Sequence, residues 1–290
     1  MPRFVKKTSK KAGLPPGALF HIGERRQAIT RVTVMDYDGD RLDETTPGDV
    51  EAVFPLRDAP ATSWINVDGV HDMTVIEKLG QHFLIHPLTL EDTVNTAQRP
   101  KLEEFDDYLY MALKMLTWDD EAGRLRAEQV SLVLGHHFLI SFQEAEGDVF
   151  APVRTRIRQG RGRLRRSGGD YLAYALIDSV VDHYFVVLEL LGEKIEALEE
   201  QLYANDGDDP LAAIFRLKQE MIYLRKQIGP LREPLSQLHK SENPLIQEKH
   251  RVFFADVYDH LLQALEVVES LRDVLSGLQD LYISMTGQRM

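Results

Sequence analysis

The chain has 290 residues, 43% hydrophobic and 28% charged, with a formal charge of −12 at pH 7, so it has enough apolar material for a packed core and is not mainly disordered. That acidic balance argues against nucleic acid as a partner and makes cations the natural ligands, because duplex binding needs concentrated basic surface. There is no cysteine, which excludes disulfides, thiolate metal sites and cysteine nucleophiles; any metal must be held by oxygen or imidazole.

The N-terminus, "MPRFVKKTSKKAGLPPG", is basic and lacks the apolar centre of a signal peptide, so residues 1–16 read as a flexible tail. No run of 18 or more apolar residues occurs, so no stretch of the sequence can span a bilayer. Residues 17–168 alternate short β-rich runs with amphipathic segments. "AITRVTVMDYDG" and "TSWINVDGV" read as strands ending in turns, and "EQVSLVLGHHFLISFQE" as two strands joined through Gly135 and the pair His136 and His137. Between them "MTVIEKLGQHFLI" and "HPLTLEDTVN" have helical spacing, with Pro87 at the first turn of the second. The mixture predicts a layered α/β or α+β domain.

After Gly147 the strand signals stop. "DVFAPVRTRIRQGRGRLRR" predicts a basic helical stretch carrying Arg154, Arg156, Arg158, Arg161, Arg163, Arg165 and Arg166. Phosphate binding is its functional reading, but a solvated basic helix beside an acidic neighbour is preferred, since no aromatic platform or glycine cradle accompanies it. Residues 169–242 then predict two helices. The first has a stripe at Leu172, Leu176, Val180, Tyr184, Val187, Leu191, Ile195, Leu198 and Leu202; the second starts at Pro210, capped by Asp209, and runs until Pro230 and Pro234 disturb it. The short link between them makes an antiparallel pair. Residues 243–290 predict one long helix starting near Pro244, with apolar residues from Val257 to Met285 in alternating steps of four and three, a heptad repeat that packs against partners. From Ile246 to Met290 it would extend roughly 65 Å.

Three places set carboxylates among apolar groups, where they are costly unless paired or bound to a cation. Glu91 and Asp92 are adjacent in "LEDTVN"; Asp178 lies in "ALIDSVVDHY", with Asp182 one turn later; Asp256 sits in "FFADVYDH". Asp259, Glu266, Asp273 and Asp280 form a seven-residue column on the long helix, a solvated face or, in a ring of helices, rings of carboxylates. Oxygen donors without cysteine favour Mg²⁺ or Ca²⁺, with Co²⁺ or Zn²⁺ as substitutes. The histidines show no ligand-spaced pair, and no nucleotide loop or nucleophile elbow appears.

Taken in order, "GLPPGALFHIG", "TSWINVDGVHD", "HPLTLEDTVNTAQRPKLEEFDDYLYMALKM", "YALIDSVVDHYF" and "FFADVYDHLLQALEVVESLRDVLSGLQDLYISM" resemble the cytoplasmic domain of the CorA family of divalent-cation transporters. The resemblance covers nearly the whole chain. It implies an α+β fold: a mixed α/β/α sandwich, an antiparallel helix pair and a long stalk helix that lines a pore. It implies a Mg²⁺/Co²⁺ channel rather than an enzyme, with five subunits, no nucleic-acid partner, and this portion on the cytoplasmic side of the membrane. It places Mg²⁺, replaceable by Co²⁺, between Asp92 of one subunit and Asp256 of the next, holding the closed state. Glu91, Asp178 and Asp256 would form an adjoining site, and Asp280 would face the pore. The family's Gly-Met-Asn signature and membrane helices are absent from this sequence, so the gene is expected to continue past Met290 into an apolar segment. A zinc-transporting relative, a soluble metal-dependent hydrolase and a metal-free coiled-coil scaffold are the alternatives.

Overall fold

The structure is a computed structural model that describes residues 15, 17, 19–160, 162–204 and 210–287. The predicted tail at 1–16 therefore lies outside the described residues except for Pro15, as do Arg161, the Asp209 cap and the last three residues of the predicted long helix. Seven strands form one sheet: β1 (Arg31–Tyr37), β2 (Leu42–Thr45), β3 (Thr62–Asp68), β4 (Lys101–Glu104), β5 (Leu109–Asp119), β6 (Arg124–Leu134) and β7 (Phe138–Gln143). Their spatial order is β2-β1-β3-β7-β6-β5-β4. Every neighbouring pair is antiparallel except β3 and β7, which run parallel at the centre.

The strands at "AITRVTVMDYDG", "TSWINVDGV" and on both sides of Gly135 lie where the alternation places them. β5 gave no alternating signal, and the reason is physical. Its run from Leu109 to Leu116 is buried on both sides, so successive residues enter two different cores and none is polar to mark a solvent face apart from Lys114, itself buried.

Leu109, Met111, Leu113 and Met115 join one core; Tyr108, Tyr110 and Ala112 join the other. The second core is covered by α1 (Met73–His82) and α2 (Pro87–Val94). Asp72 caps α1 by accepting from the backbone N–H groups of Thr74 and Val75. The first core is covered by α3 (Ala151–Gln159), α4 (Gly169–Ala204), α5 (Pro210–Ile228), α6 (Arg232–Leu238) and α7 (Arg251–Gly287). The result is an α+β sandwich carrying an antiparallel helix pair and one long helix.

All nine residues of the predicted α4 stripe are buried. On α7 the heptad positions Val257, Leu261, Ala264, Val268, Leu275 and Leu278 are buried in turn. Cross-helix neighbours advance together, Tyr171 with Phe253 and Asp182 with His260, so α4 and α7 run parallel from a common end. Lys218 meets Gln279 and Arg225 meets Glu269, so α5 runs the opposite way.

Two boundaries differ from expectation. α7 begins at Arg251 rather than near Pro244, because side chains bind the local backbone: Ser241 accepts from Asn243 N–H and Asn243 from Leu245 N–H, holding turns that compete with helix. At about 1.5 Å per residue its 37 residues extend about 55 Å. The basic stretch is also interrupted. α3 stops at Gln159, where Gly160 adopts φ +63°, a left-handed C-cap that a side chain would strain.

Candidate metal-binding site

The α2 acids owe their position to the start of that helix. His86 caps it by accepting the Leu88 N–H, Pro87 occupies the first turn, and the buried face of Thr89, Leu90, Thr93 and Val94 turns Glu91 and Asp92 outward. Glu91 accepts from the backbone N–H of Gly17 at 2.6 Å. Asp92 is paired with Lys101, whose ammonium also donates to Glu103 at 2.8 Å. Burial pulls the Lys101 ammonium down, but its hydrogen bonds to Asp92 and Glu103 outweigh that and hold it above the usual lysine range. One ammonium thus stands between two carboxylates.

The second group lies on the opposite face of the sheet. Asp178 and Asp182 are one turn apart on α4, and His260 approaches from α7; one ligand atom from each lies within 4.8 Å of the others. His260 Nδ1 is 3.9 Å from Asp182. Asp256 is exposed one turn before His260. Burial, with smaller contributions from the charges of Asp182 and Asp256 and against the pull of His260 and the Tyr174 hydroxyl, raises the Asp178 carboxyl to about 6. A carboxyl held in this way favours a proton or a metal cation. The donor set of carboxylates and one imidazole fits a hard or borderline divalent ion.

Within one chain, then, the fold groups Asp178 with Asp182 and His260, leaves Asp256 outside that group but near enough for its charge to act on Asp178, and keeps Glu91 and Asp92 on the other side of the sheet. Asp280 is exposed on α7, about 36 Å beyond Asp256 along the helix axis. Asp259, Glu266 and Asp273 are exposed as well. Sequence reasoning missed His260 and Lys101. The signal for His260 was present, since "DVYDH" places an imidazole one turn after Asp256. No such signal existed for Lys101, which reaches Asp92 from a different element.

Among the described residues, no helix is long and apolar enough to cross a membrane. The family model "CorA-like Mg2+ transporter protein" matches residues 60–290. The chain is 44% identical over 284 residues to the cobalt/magnesium transport protein CorA of Thermotoga maritima, covering 98% of this chain and 81% of that one. It is 30% identical over 227 residues to the putative metal ion transporter YfjQ of Bacillus subtilis, covering 78% and 69%. Among solved structures, the soluble domain of CorA from Methanocaldococcus jannaschii matches with a TM-score of 0.71 at 18% identity, over 87% of this chain and 96% of that one. The cytoplasmic domain of ZntB from Vibrio parahaemolyticus matches with 0.70 at 13% identity, over 88% and 98%. These two likenesses concern the fold alone. The sequence relatives are transport proteins, so the hydrolase alternative falls and the chain is not an enzyme. A family match over most of the chain, joined to a relative sharing 44% of its residues, establishes that the chain belongs to the CorA family of Mg²⁺ transporters.

Proposed function

We propose that this chain is the cytoplasmic cation-sensing and gating part of a homopentameric Mg²⁺/Co²⁺ channel. Residues 17–168 form its support, 169–242 its helix pair and 243–290 the stalk that leads toward the membrane. Mg²⁺ held between Asp92 of one subunit and Asp256 of the next stabilises the closed ring, and Glu91, Asp178 and Asp256 hold a second ion. The observation that carries this reading is a separation: the α2 acids and the exposed Asp256 occupy opposite faces of the sheet, so an ion joining them needs a second copy of the chain. A ligand that binds one state of the ring more tightly than another shifts the ring toward it. When Mg²⁺ falls, unneutralised carboxylates repel and the ring loosens. Asp280 faces the pore axis in this arrangement.

The imidazole of His260 beside Asp178 and Asp182 supports a borderline ion, Co²⁺ or Zn²⁺, as a substitute at the second position. The test is protection of the chain from proteolysis in Mg²⁺, Co²⁺ and Zn²⁺. Asp92→Ala and Asp256→Ala should each abolish Mg²⁺ protection. Protection retained in both variants would refute the bridging role and leave the scaffold reading.

A further inference from the structure

Three of the described arginines in the arginine-rich stretch are held by partners in the fold. Arg154 grips Asp148 through both terminal nitrogens at 2.6 and 2.5 Å and lies over the Trp64 ring; Arg158 holds Glu44 through Nε and one terminal nitrogen at 2.9 and 2.5 Å; Arg165 donates to the carbonyl of Asp38. These arginines are structural. Arg163, which lies over the Phe253 ring, and Arg166 make no ion pair or side-chain hydrogen bond among the described residues, and neither does Lys249.

All three line one cavity of roughly 340 Å³, together with Gly162, Ser167 and His250. The Ser167 hydroxyl has no partner among the described residues. His250 is 3% exposed, and its Nδ1 lies 2.7 Å from the buried carboxylate of Asp170. Asp170 in turn accepts from the backbone of Gln247 and Tyr171 and from the Gln247 side chain, so inward donors occupy its oxygens. This fixes the imidazole and leaves Nε2 as its remaining polar atom, with no partner among the described residues. α4 starts two residues after Ser167 and α7 directly after His250, and the two helices run parallel. Both positive helix ends therefore converge here.

We propose that this cavity binds a soluble phosphate compound. Two guanidinium groups, an ammonium, a hydroxyl and an oriented imidazole match the oxygens of a phosphate group, for which bidentate arginine contacts are especially suited. The volume is at the small end of ligand pockets and fits a phosphate ester or diphosphate. A soluble source rather than a lipid headgroup follows from position, and this part rests on the proposed role of α7 as a stalk: the cavity sits at the start of α7, about 55 Å from the end that would approach the membrane.

Calorimetric titration of the purified chain with sodium phosphate and sodium pyrophosphate, in EDTA and against chloride of equal ionic strength, tests the proposal. Saturable binding at one site per chain is expected, weakened at least tenfold in the Arg163→Ala/Arg166→Ala double variant and in Lys249→Ala. All three side chains are exposed, so the variants should melt like the parent in chloride. Absence of saturable heat with both anions, or equal binding by the variants, would overturn the site. Binding only to phosphatidic acid vesicles would overturn the soluble source. Because EDTA removes divalent ions, failure here leaves the metal reading standing, and success does not depend on it.

Discussion

Replacing Asp178 by Asn should stabilise the metal-free chain, the reverse of the effect expected when a paired buried acid is lost. The Asp178 carboxyl titrates at about 6 in the folded chain, because burial and then Asp182 disfavour its ionised form. In the unfolded chain it titrates at about 4. Between those values the folded state keeps a proton that the unfolded state has released. Stability therefore falls as pH rises from about 4 to about 6, and the loss is complete above about 7. Two pH units at about 1.4 kcal/mol each give about 3 kcal/mol, and because Asp178 is only half-buried, solvent screening reduces this to about 1 kcal/mol. Asn keeps the shape and removes the charge. In urea denaturation at pH 8 in EDTA, Asp178→Asn should gain about 1 kcal/mol, or roughly 2–4 °C in melting temperature, and the gain should vanish near pH 4. Millimolar Mg²⁺ should then stabilise the parent more than the variant. A variant less stable than the parent at pH 8 in EDTA would refute the reasoning, since the acid would then be held by structural partners rather than waiting for a cation.

Two further substitutions probe charges that the sequence did not flag. Lys101→Met removes the ammonium shared by Asp92 and Glu103, so the α2 acids should attract Mg²⁺ more strongly, lowering the Mg²⁺ midpoint for proteolytic protection by about 3–10-fold. An unchanged midpoint would show that Lys101 does not compete with the ion. Arg26 lies 3.6 Å from Glu128 and 3.2 Å from Glu144, all three nearly buried, so Arg26→Met should cost about 3–5 kcal/mol at pH 8. Burial has already raised Glu128 to about 7, so the parent loses stability as pH rises from about 4 to about 7; without Arg26 that loss should continue to higher pH, as urea midpoints at pH 6 and 8 would record.

The long helices were legible because α7 and α4 beyond Ile177 bury mainly one stripe, so periodicity locates Leu191, Leu261 and Leu275, and the same stripe continues through Leu176 where α4 is buried on all sides. β5 was not, because it is buried on two sides, and β2 and β4 are only four residues long. The start of α7 was misplaced because Ser241 and Asn243 act through local hydrogen bonds that hydrophobic spacing does not register. For the candidate site, an acid inside an apolar run was enough to mark Asp178. His260 meets it, and the charge of Asp256 reaches it, only through the parallel packing of two helices more than seventy residues apart in the chain. The arginine-rich segment looked uniform in sequence, and only the positions of Asp148, Glu44 and the Asp38 carbonyl separate its structural members from Arg163 and Arg166.

The parallel seam also sets a mechanical ratio. Tyr171, Tyr174, His250 and Phe253 pack as tilted rings at the shared start of α4 and α7, with ring centroids 5.1–6.1 Å apart. His260 lies about 14 Å along α7 from that point and Gly287 about 54 Å. If α7 tilts there as a rigid rod, each ångström of travel at His260 becomes about four at Gly287. Under such a tilt a shift of about 1 Å at His260, beside Asp178, would displace the far end of the rod by about 4 Å, more than an ion's diameter.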